Sequence, residues 1–403
     1  LYKWLHPGLR IKRWISLCTL GVVLCSLGFV LTLQKAQEVS GSLFVVFGIA
    51  AVTIGIRKII KSIISLLAPH QEGQLLNLMY NRGVLSGGPK IVAIGGGTGL
   101  SVLLQGLKER TSNITAVVAV TDDGGSSGRL SEQFKVLPPG DIRSCLVALA
   151  DAEPMMQNLF QFRFSESKSD LSGHSFGNLF ILAMAKITGD FEKAVRESSR
   201  ILNIRGRVVP STLEAGRLMA LHADGKFIEG ETSISSYPAH IERLFLKPER
   251  IAATTDAIHA IREADAIVLG PGSLYTSIMP NLLIQDLLSE IVRKQVPKIY
   301  VCNIMTQPNE TSHLRSDYDH VKALVENTQV EVLTHCIVNA GKIPESLVER
   351  YTKDGSYPLK RDSDHIRAMG YQVIESDLVH PVNYVRHNAR RLAKIITEIA
   401  QKK

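Results

Sequence analysis

Residues 90–104 read KIVAIGGGTGLSVLL, and no other stretch of the chain restricts its fold as much. A short apolar run, 91–94, stops at Gly95, Gly96, Gly97, Thr98 and Gly99, after which apolar residues return at helical spacing. The pattern predicts a strand, a tight loop and the start of a helix. Glycines let a loop backbone approach a phosphate, whose charge then meets the unpaired N–H groups of the helix start. A nucleotide-type ligand is the first expectation. No Lys follows Gly99, so the G-x-x-x-x-G-K-[ST] loop of triphosphate hydrolases is absent. Taken alone, the loop also fits a plain strand-to-helix turn with no ligand.

Charge is concentrated at one end. Residues 1–89 hold nine Lys or Arg and two Glu, a balance of +7 against +8 for all 403 residues. The remainder is near neutral and gives no support to a nucleic-acid partner, which needs a basic face on the folded domain. The basic residues instead frame two uncharged apolar runs, 14–33 of twenty residues and 39–56 of eighteen. Each is long enough to cross a hydrocarbon core of roughly 30 Å as a helix. The link 34–38 permits only a hairpin, and Arg10, Lys12 and Arg13 before it with Arg57, Lys58 and Lys61 after it put both ends in the cytoplasm. A cleaved signal peptide and two buried helices of a soluble core are the competing readings; basic residues after a second span argue against export. The expected place is the bacterial inner membrane, multi-pass, with the large domain in the cytoplasm. The sequence begins at Leu1 and not at Met, which leaves its true start open.

The expected organisation is a membrane anchor over 1–61, a linker over 62–89 and a ligand-binding domain over 90–403. Within the linker a basic, amphipathic stretch near 59–67 suits a membrane surface, and Pro69 and a polar, Gly-rich passage follow. Cys18 and Cys25 lie in the first apolar run, while Cys145, Cys302 and Cys336 are far apart; no C-x-x-C or metal-ligand spacing occurs, so all five read as small hydrophobes.

From Lys90 onward apolar strands (91–94, 114–121, 266–269, 299–303, 330–338) alternate with helical stretches (100–110, 142–150, 177–187, 191–202, 281–293, 382–402). Continuous apolar strands between helices predict an α/β, Rossmann-like fold: a mainly parallel sheet with helices on both faces. An insertion near 205–232 reads as a small β-hairpin turning at Ala223-Asp224-Gly225. Such folds bind ligands at the C-terminal ends of the strands, where this chain has four unusual loops. The first is 95–99. The second, TDDGGSSGR at 121–129, offers Asp122 for a ribose diol. Asp122 and Asp123 together can hold Mg²⁺, and the backbone of Gly124, Gly125, Ser126 and Ser127 can take a phosphate. The third, LPPGDIR at 137–143, opens a helix with Asp141 as a cap or a ligand group and Arg143 as an anion clamp. The fourth, GPGSLYTS at 270–277, brings Gly272 and the Ser273 hydroxyl, with Tyr275 to stack on a base. HSFGN at 174–178 and NIMTQPNET at 303–311 add amide and hydroxyl groups suited to sugars, Asn178 among them, and His174 is an acid-base candidate. No G-x-S-x-G and no H-E-x-x-H is present. Any chemistry would be phosphoryl or glycosyl transfer through Asp122, Asp123, Asp141 and Mg²⁺.

GGGTGLSVLLQGLK at 95–108, VTDDGGSSGRL at 120–130, LPPGDIRSCLVALAD at 137–151, FGNLFI at 176–181, GPGSLYTSIMPNLL at 270–283 and NIMTQPNET at 303–311 together resemble the gluconeogenesis factor family, a branch of the CofD-like proteins. The resemblance runs from about Lys90 to the C-terminal helix. It implies a Rossmann-like domain that binds a UDP-sugar such as UDP-N-acetylglucosamine, and a regulatory role in cell shape and wall-precursor supply during gluconeogenic growth. On that reading Gly96, Gly97, Thr98 and Gly99 cradle phosphate, Asp122 and Asp123 contact ribose or metal, and Asn178, Gly272, Ser273 and Tyr275 contact base and sugar. A second copy of the chain and cell-wall synthesis proteins are the protein partners it brings into view. The sister branch, 2-phospho-L-lactate transferase, moves a phospholactyl group with Mg²⁺, so a transferase is the alternative to a binding protein without turnover. A dinucleotide enzyme is a third reading of the glycine loop with Asp122. The apolar hairpin departs from the soluble family pattern: a domain held at the inner face of the membrane is expected, with the family's freely cytoplasmic location as the alternative.

Overall fold

The computed structural model describes residues 11–33, 38–67, 83–152, 154–165, 169–381 and 384–402. The turn expected at 34–37, Pro69 with the rest of segment 68–82, and residues 382–383 of the expected C-terminal helix lie outside them. The chain divides into two compact units, Leu1–Val84 and Leu85–Lys403.

In the first unit, helices α1 (Ile11–Thr32) and α2 (Glu38–Leu67) cover both apolar runs. Each contains a stretch long and apolar enough to cross a membrane, Lys12–Thr32 and Val39–Ser62, and little of either is buried. The residues that are buried are Gly21 and Gly28 on α1 and Gly41, Gly48 and Gly55 on α2, spaced by sevens within each helix. A seven-residue repeat keeps small residues on one seam of each helix, and small residues let backbones approach closely. At Gly48 a Cβ would stand 2.4 Å from Cys25 Sγ and 2.7 Å from the Gly21 carbonyl oxygen. Substitution of Gly48 by leucine is therefore expected to part the helices, at about 1–3 kcal/mol of overpacking. Cys25 Sγ lies 3.6 Å from the Val45 carbonyl oxygen. Oxidative cross-linking of Cys25 to a Val45→Cys variant, with Cys18 replaced by Ser, should proceed readily in the parent and fall several-fold with Gly48→Leu; equal cross-linking would show that the glycine seam does not set the approach.

The second unit is built on seven parallel strands: β1 (Ile91–Gly95), β2 (Ile114–Val118), β3 (Arg207–Pro210), β7 (Ala266–Leu269), β8 (Lys298–Val301), β9 (His335–Asn339) and β10 (Gln372–Ser376). Their order across the sheet is β10-β9-β8-β7-β1-β2-β3. Ile91 and Ala93 pack into one core while Val92 and Ile94 pack into the other, so both faces of the sheet are covered. The fold is the Rossmann-like α/β arrangement that the apolar runs predict. From β1 the chain winds outward through β2 and β3, then returns to β7 on the other side of β1, with Ile91 opposite both Ile114 and Ala266. The strand order therefore reverses between β1 and β7, the position at which such sheets bind ligands.

Several boundaries differ from the expected ones. The insertion is larger than a hairpin: β4 (Arg217–His222) and β5 (Phe227–Glu229) form it, but β6 (Ile241–Lys247) joins β4 to complete an antiparallel sheet of three strands. Residues 207–210, placed inside the insertion by sequence, are the edge strand of the main sheet. The strand expected at 330–338 covers only its last residues, as β9. The helix expected at 281–293 is broken into a π-helix Leu274–Ile278 and helices Met279–Leu282 and Gln285–Arg293. In place of a helix from 382, Val385–His387 (β12) pairs with Val379–Pro381 (β11), and the last helix runs Ala389–Gln401. Residues 85–89 pack onto this unit: Leu85 is buried, and the Asn113 amide donates to the carbonyls of Ser86 and Gly88.

Candidate functional site

The glycine loop folds as a strand end that runs directly into helix Gly97–Leu107, with Gly97 at φ +63°. A side chain is excluded at two further positions. A Cβ on Gly96 would lie 2.1 Å from Asp141 Oδ2, and one on Gly99 would lie 2.5 Å from the Pro271 carbonyl oxygen. The loops after β1 and β7 are thus in backbone contact, and Asn303, after β8, donates its amide to the Gly272 carbonyl (2.7 Å). Asn281 fastens the assembly from below, its amide donating to the Ser277 carbonyl (2.8 Å) and the Gly95 carbonyl (3.4 Å).

These loops enclose a cleft of about 810 Å³. Of the expected site residues, Gly96, Gly97, Thr98, Gly99, Asp122, Asp141, Gly272 and Ser273 line it. Asp123 and Gly125 line a neighbouring cleft of about 1030 Å³ on the far side of the Asp122 loop. Asp122 and Asp123 serve different neighbours. Asp122 Oδ1 accepts the Gly124 N–H (2.9 Å), whereas Asp123 Oδ1 accepts both the N–H and the hydroxyl of Thr232 (2.9 and 2.8 Å) and so ties the insertion to this loop. The carboxylate beside Asp122 on the floor of the cleft is Asp141. Its helix, Gly140–Leu149, has no side-chain cap, and Asp141 instead accepts the N–H of Gly97. A carboxyl group of the chain itself thus already stands at the start of the glycine-loop helix.

Four expected contacts fall elsewhere. Ser126 is buried, receiving the Asn178 amide (3.1 Å) and pairing with His174 Nδ1 (3.0 Å), so Ser126, His174 and Asn178 form a polar cluster behind the loop, away from the cleft wall. Asn178 Oδ1 has no partner there. Arg143 packs along Gly177 and acts as a counter-charge behind Asp122 and Asp141. Tyr275 is 2% exposed, because the π-helix turns its ring into the core; only its N–H faces the site, donating to Glu310 (3.0 Å).

Sequence reading missed other residues of the wall. Glu310, within the fragment NIMTQPNET, is buried and accepts from the Ser273 hydroxyl and the Tyr275 N–H, holding the β7 loop against the β8 loop. Glu231 comes from the insertion and has no local signal. Tyr351 comes from helix Glu345–Lys353, its hydroxyl receiving the Val385 N–H (3.1 Å). Arg386, on β12, reaches the same cleft, with its guanidinium 5.6 Å from the Tyr384 ring centroid. Among the described residues Arg386 is the one Lys or Arg on the cleft wall, and it pairs with no carboxylate.

The carboxylates shift one another. Burial, then Asp122, pushes Asp141 up to about 7. Burial, then Asp122 and Asp141, pushes Glu231 up to about 9. Burial raises Asp122 and Glu310 as well. Near neutral pH this floor therefore holds carboxyl protons that can donate as well as oxygens that can accept. Among the described residues no group of three or more His, Cys, Asp or Glu converges closely enough to hold a metal ion.

Sheet and cleft together define a Rossmann-like α/β protein with a polar cleft at the switch point of its sheet. The family described as 2-phospho-L-lactate transferase CofD matches residues 91–379. The gluconeogenesis factor of Bacillus subtilis (strain 168) is 46% identical over 312 residues, covering 77% of this chain and 98% of its own length. A protein of Nostoc sp. (strain PCC 7120) is 43% identical over 420 aligned positions, covering 98% of this chain and 91% of its own, so that likeness extends into the apolar helices. A crystal structure of a UPF0052-family protein from Bacillus halodurans superposes with a TM-score of 0.74 at 41% identity, covering 76% of this chain and 98% of that one. The chain belongs to the CofD family, in its gluconeogenesis factor branch.

Proposed function

We propose that this chain is a membrane-held regulatory protein that binds a nucleoside-diphosphate sugar, with UDP-N-acetylglucosamine as the expected ligand, and that occupancy of its cleft reports wall-precursor supply and supports cell shape during gluconeogenic growth. One observation carries the proposal: a glycine backbone loop and a group of carboxyl side chains line a single cleft. The cradle and Arg386 suit a diphosphate, whereas Asp122, Asp141 and Glu231 suit the hydroxyls of ribose and sugar. A nucleotide sugar presents both chemistries in one molecule. The cleft volume falls in the range of small-molecule sites, about 300–1,000 Å³. The hairpin α1–α2 is read as the anchor, with both its ends and the large domain in the cytoplasm.

The family description favours a second reading, an Mg²⁺-dependent transferase. Mg²⁺ is commonly held by one or two carboxylates plus phosphate oxygens, and Asp122 and Asp141 are the two that would hold it here. Bound with a diphosphate, the ion would supply charge neutralisation. Asp123, already engaged with Thr232, is the weaker member of the pair expected from sequence.

Titration of the detergent-solubilised full chain with UDP-N-acetylglucosamine, with and without Mg²⁺, followed by product analysis, separates these readings. Saturable binding without product supports the regulator, a new phosphodiester or glycoside establishes the transferase, and failure to bind removes both. Asp122→Ala should weaken binding by about 1–3 kcal/mol, the loss of a partly buried polar contact. Unchanged affinity in a folded variant would take Asp122 out of the site.

A further inference from the structure

We propose that the end of the hairpin bearing Lys12, Arg13, Arg57, Lys58 and Lys61 is a binding site for the headgroups of anionic phospholipids. This rests on the reading of α1 and α2 as membrane spans. The helices are antiparallel, with Gly55 against Trp14 and Cys18, so the start of α1 and the last third of α2 share one end. All five cationic side chains are exposed there. The acidic residue among the described residues of both helices, Glu38, lies at the opposite end, where the link 34–38 also holds Lys35 and is neutral overall. Among the described residues of the two helices the charges at this end are thus of one sign, and its cations come from two helices held in fixed relation by the glycine seam. α2 continues to Leu67, so Arg57, Lys58 and Lys61 stand beyond the glycine-packed stretch and are not enclosed by α1.

The second observation is an aromatic one. Lys58 Nζ lies 5.5 Å from the centroid of the Trp14 ring. Indole rings favour the headgroup level of a bilayer, where a ring face also attracts a cation. Trp14 therefore marks the depth of the cluster at the level of lipid phosphates. A basic residue near an anionic surface contributes about 1 kcal/mol, roughly fivefold in local lipid enrichment, and salt weakens the effect. A zwitterionic headgroup has no net charge to offer in return.

The chain has two tryptophans, Trp4 and Trp14, so Trp4→Phe leaves Trp14 as the single fluorophore. The full-length variant is reconstituted in phosphatidylcholine vesicles in which a minor fraction of the lipid is either brominated phosphatidylglycerol or brominated phosphatidylcholine; bromine quenches tryptophan on contact. Several-fold stronger quenching by the phosphatidylglycerol is expected. That excess should shrink in high salt and vanish when Lys12, Arg13, Arg57, Lys58 and Lys61 are all replaced by Gln, while quenching by brominated phosphatidylcholine persists. Equal quenching by the two lipids in the parent overturns the headgroup site and leaves the spans standing. Absence of quenching by either lipid overturns the membrane reading itself, and the site with it.

Discussion

Gly99→Val is expected to weaken ligand binding on the order of 100-fold. The added Cβ would lie 2.5 Å from the Pro271 carbonyl oxygen and 2.8 Å from both the Pro271 carbonyl carbon and Gly272 Cα, all of them backbone atoms that no rotamer change can move aside. The loops after β1 and β7 must separate, and a displacement near 1 Å at a positioned site costs on the order of 100-fold. The strain itself is about 1–3 kcal/mol, small enough for a folded protein to survive. Titration with UDP-N-acetylglucosamine alongside a thermal melt checks both parts. Gly83→Val, where a Cβ meets nothing within 4 Å, is the matched control and should bind as the parent does. A Gly99→Val protein that binds like the parent would show that contact between the two loops is not what forms the site.

The second large effect is on stability, and it depends on pH. Asp141 rises from an ordinary value of 3.8 to about 7 in the folded chain. The folded state therefore holds this proton more tightly than the unfolded state. That contribution is fully present below the unfolded value and is lost as pH rises through about 7. Each pH unit separating the folded and unfolded values corresponds to about 1.4 kcal/mol. Asp141→Asn keeps an acceptor for the Gly97 N–H and removes the charge, so at pH 8 in EDTA it should be more stable than the parent by about 2–4 kcal/mol, with the gain shrinking to roughly 1–2 kcal/mol by pH 5. Glu231, raised to about 9, moves in the same direction and should keep the parent's stability falling between pH 7 and 9. Chemical denaturation at both pH values measures this. A variant equally destabilised at pH 5 and pH 8 would mean that the ionised carboxylate is needed by its neighbours.

The parts of the molecule legible in the sequence are those where one local demand leaves few residue choices. Residues 91–94 read as a strand because a β1 buried on both faces must be apolar throughout, and Gly96 and Gly99 stand out as glycines because another chain segment leaves no room for a Cβ. Asp141 is legible as a site candidate but not as the partner of the Gly97 N–H, since that contact depends on how two distant helices meet. Glu231, Tyr351 and Arg386 arrive from a short inserted helix, a late helix and a three-residue strand. Nothing within a few positions of them records that the topology brings them to one cleft. Tyr275 shows the reverse error. An aromatic in a Gly-rich, hydroxyl-rich loop reads as a base-stacking surface, yet the wider π turn from Leu274 rotates its ring inward and leaves Glu310 to hold its backbone. The three-stranded insertion is half legible: the tight turn at Asp224-Gly225 announces β4 and β5, whereas β6 is separated from them by the short helix and carries no turn signal of its own.

The neighbour relation between β1 and β7 also sets an order of events during synthesis. The Lys90 N–H donates to Asp265 Oδ2 (2.9 Å) across a sequence separation of 175 residues. Closing a loop of that length carries its entropic cost before any contact rewards it, and parallel pairings of this kind form slowly. A growing chain exposes both apolar helices and the whole glycine loop while half of its cleft is still untranslated. A ligand that needs both halves of the cleft, as proposed above, would meet a complete site only once the central sheet has closed. A binding signal read from this protein would count only finished molecules.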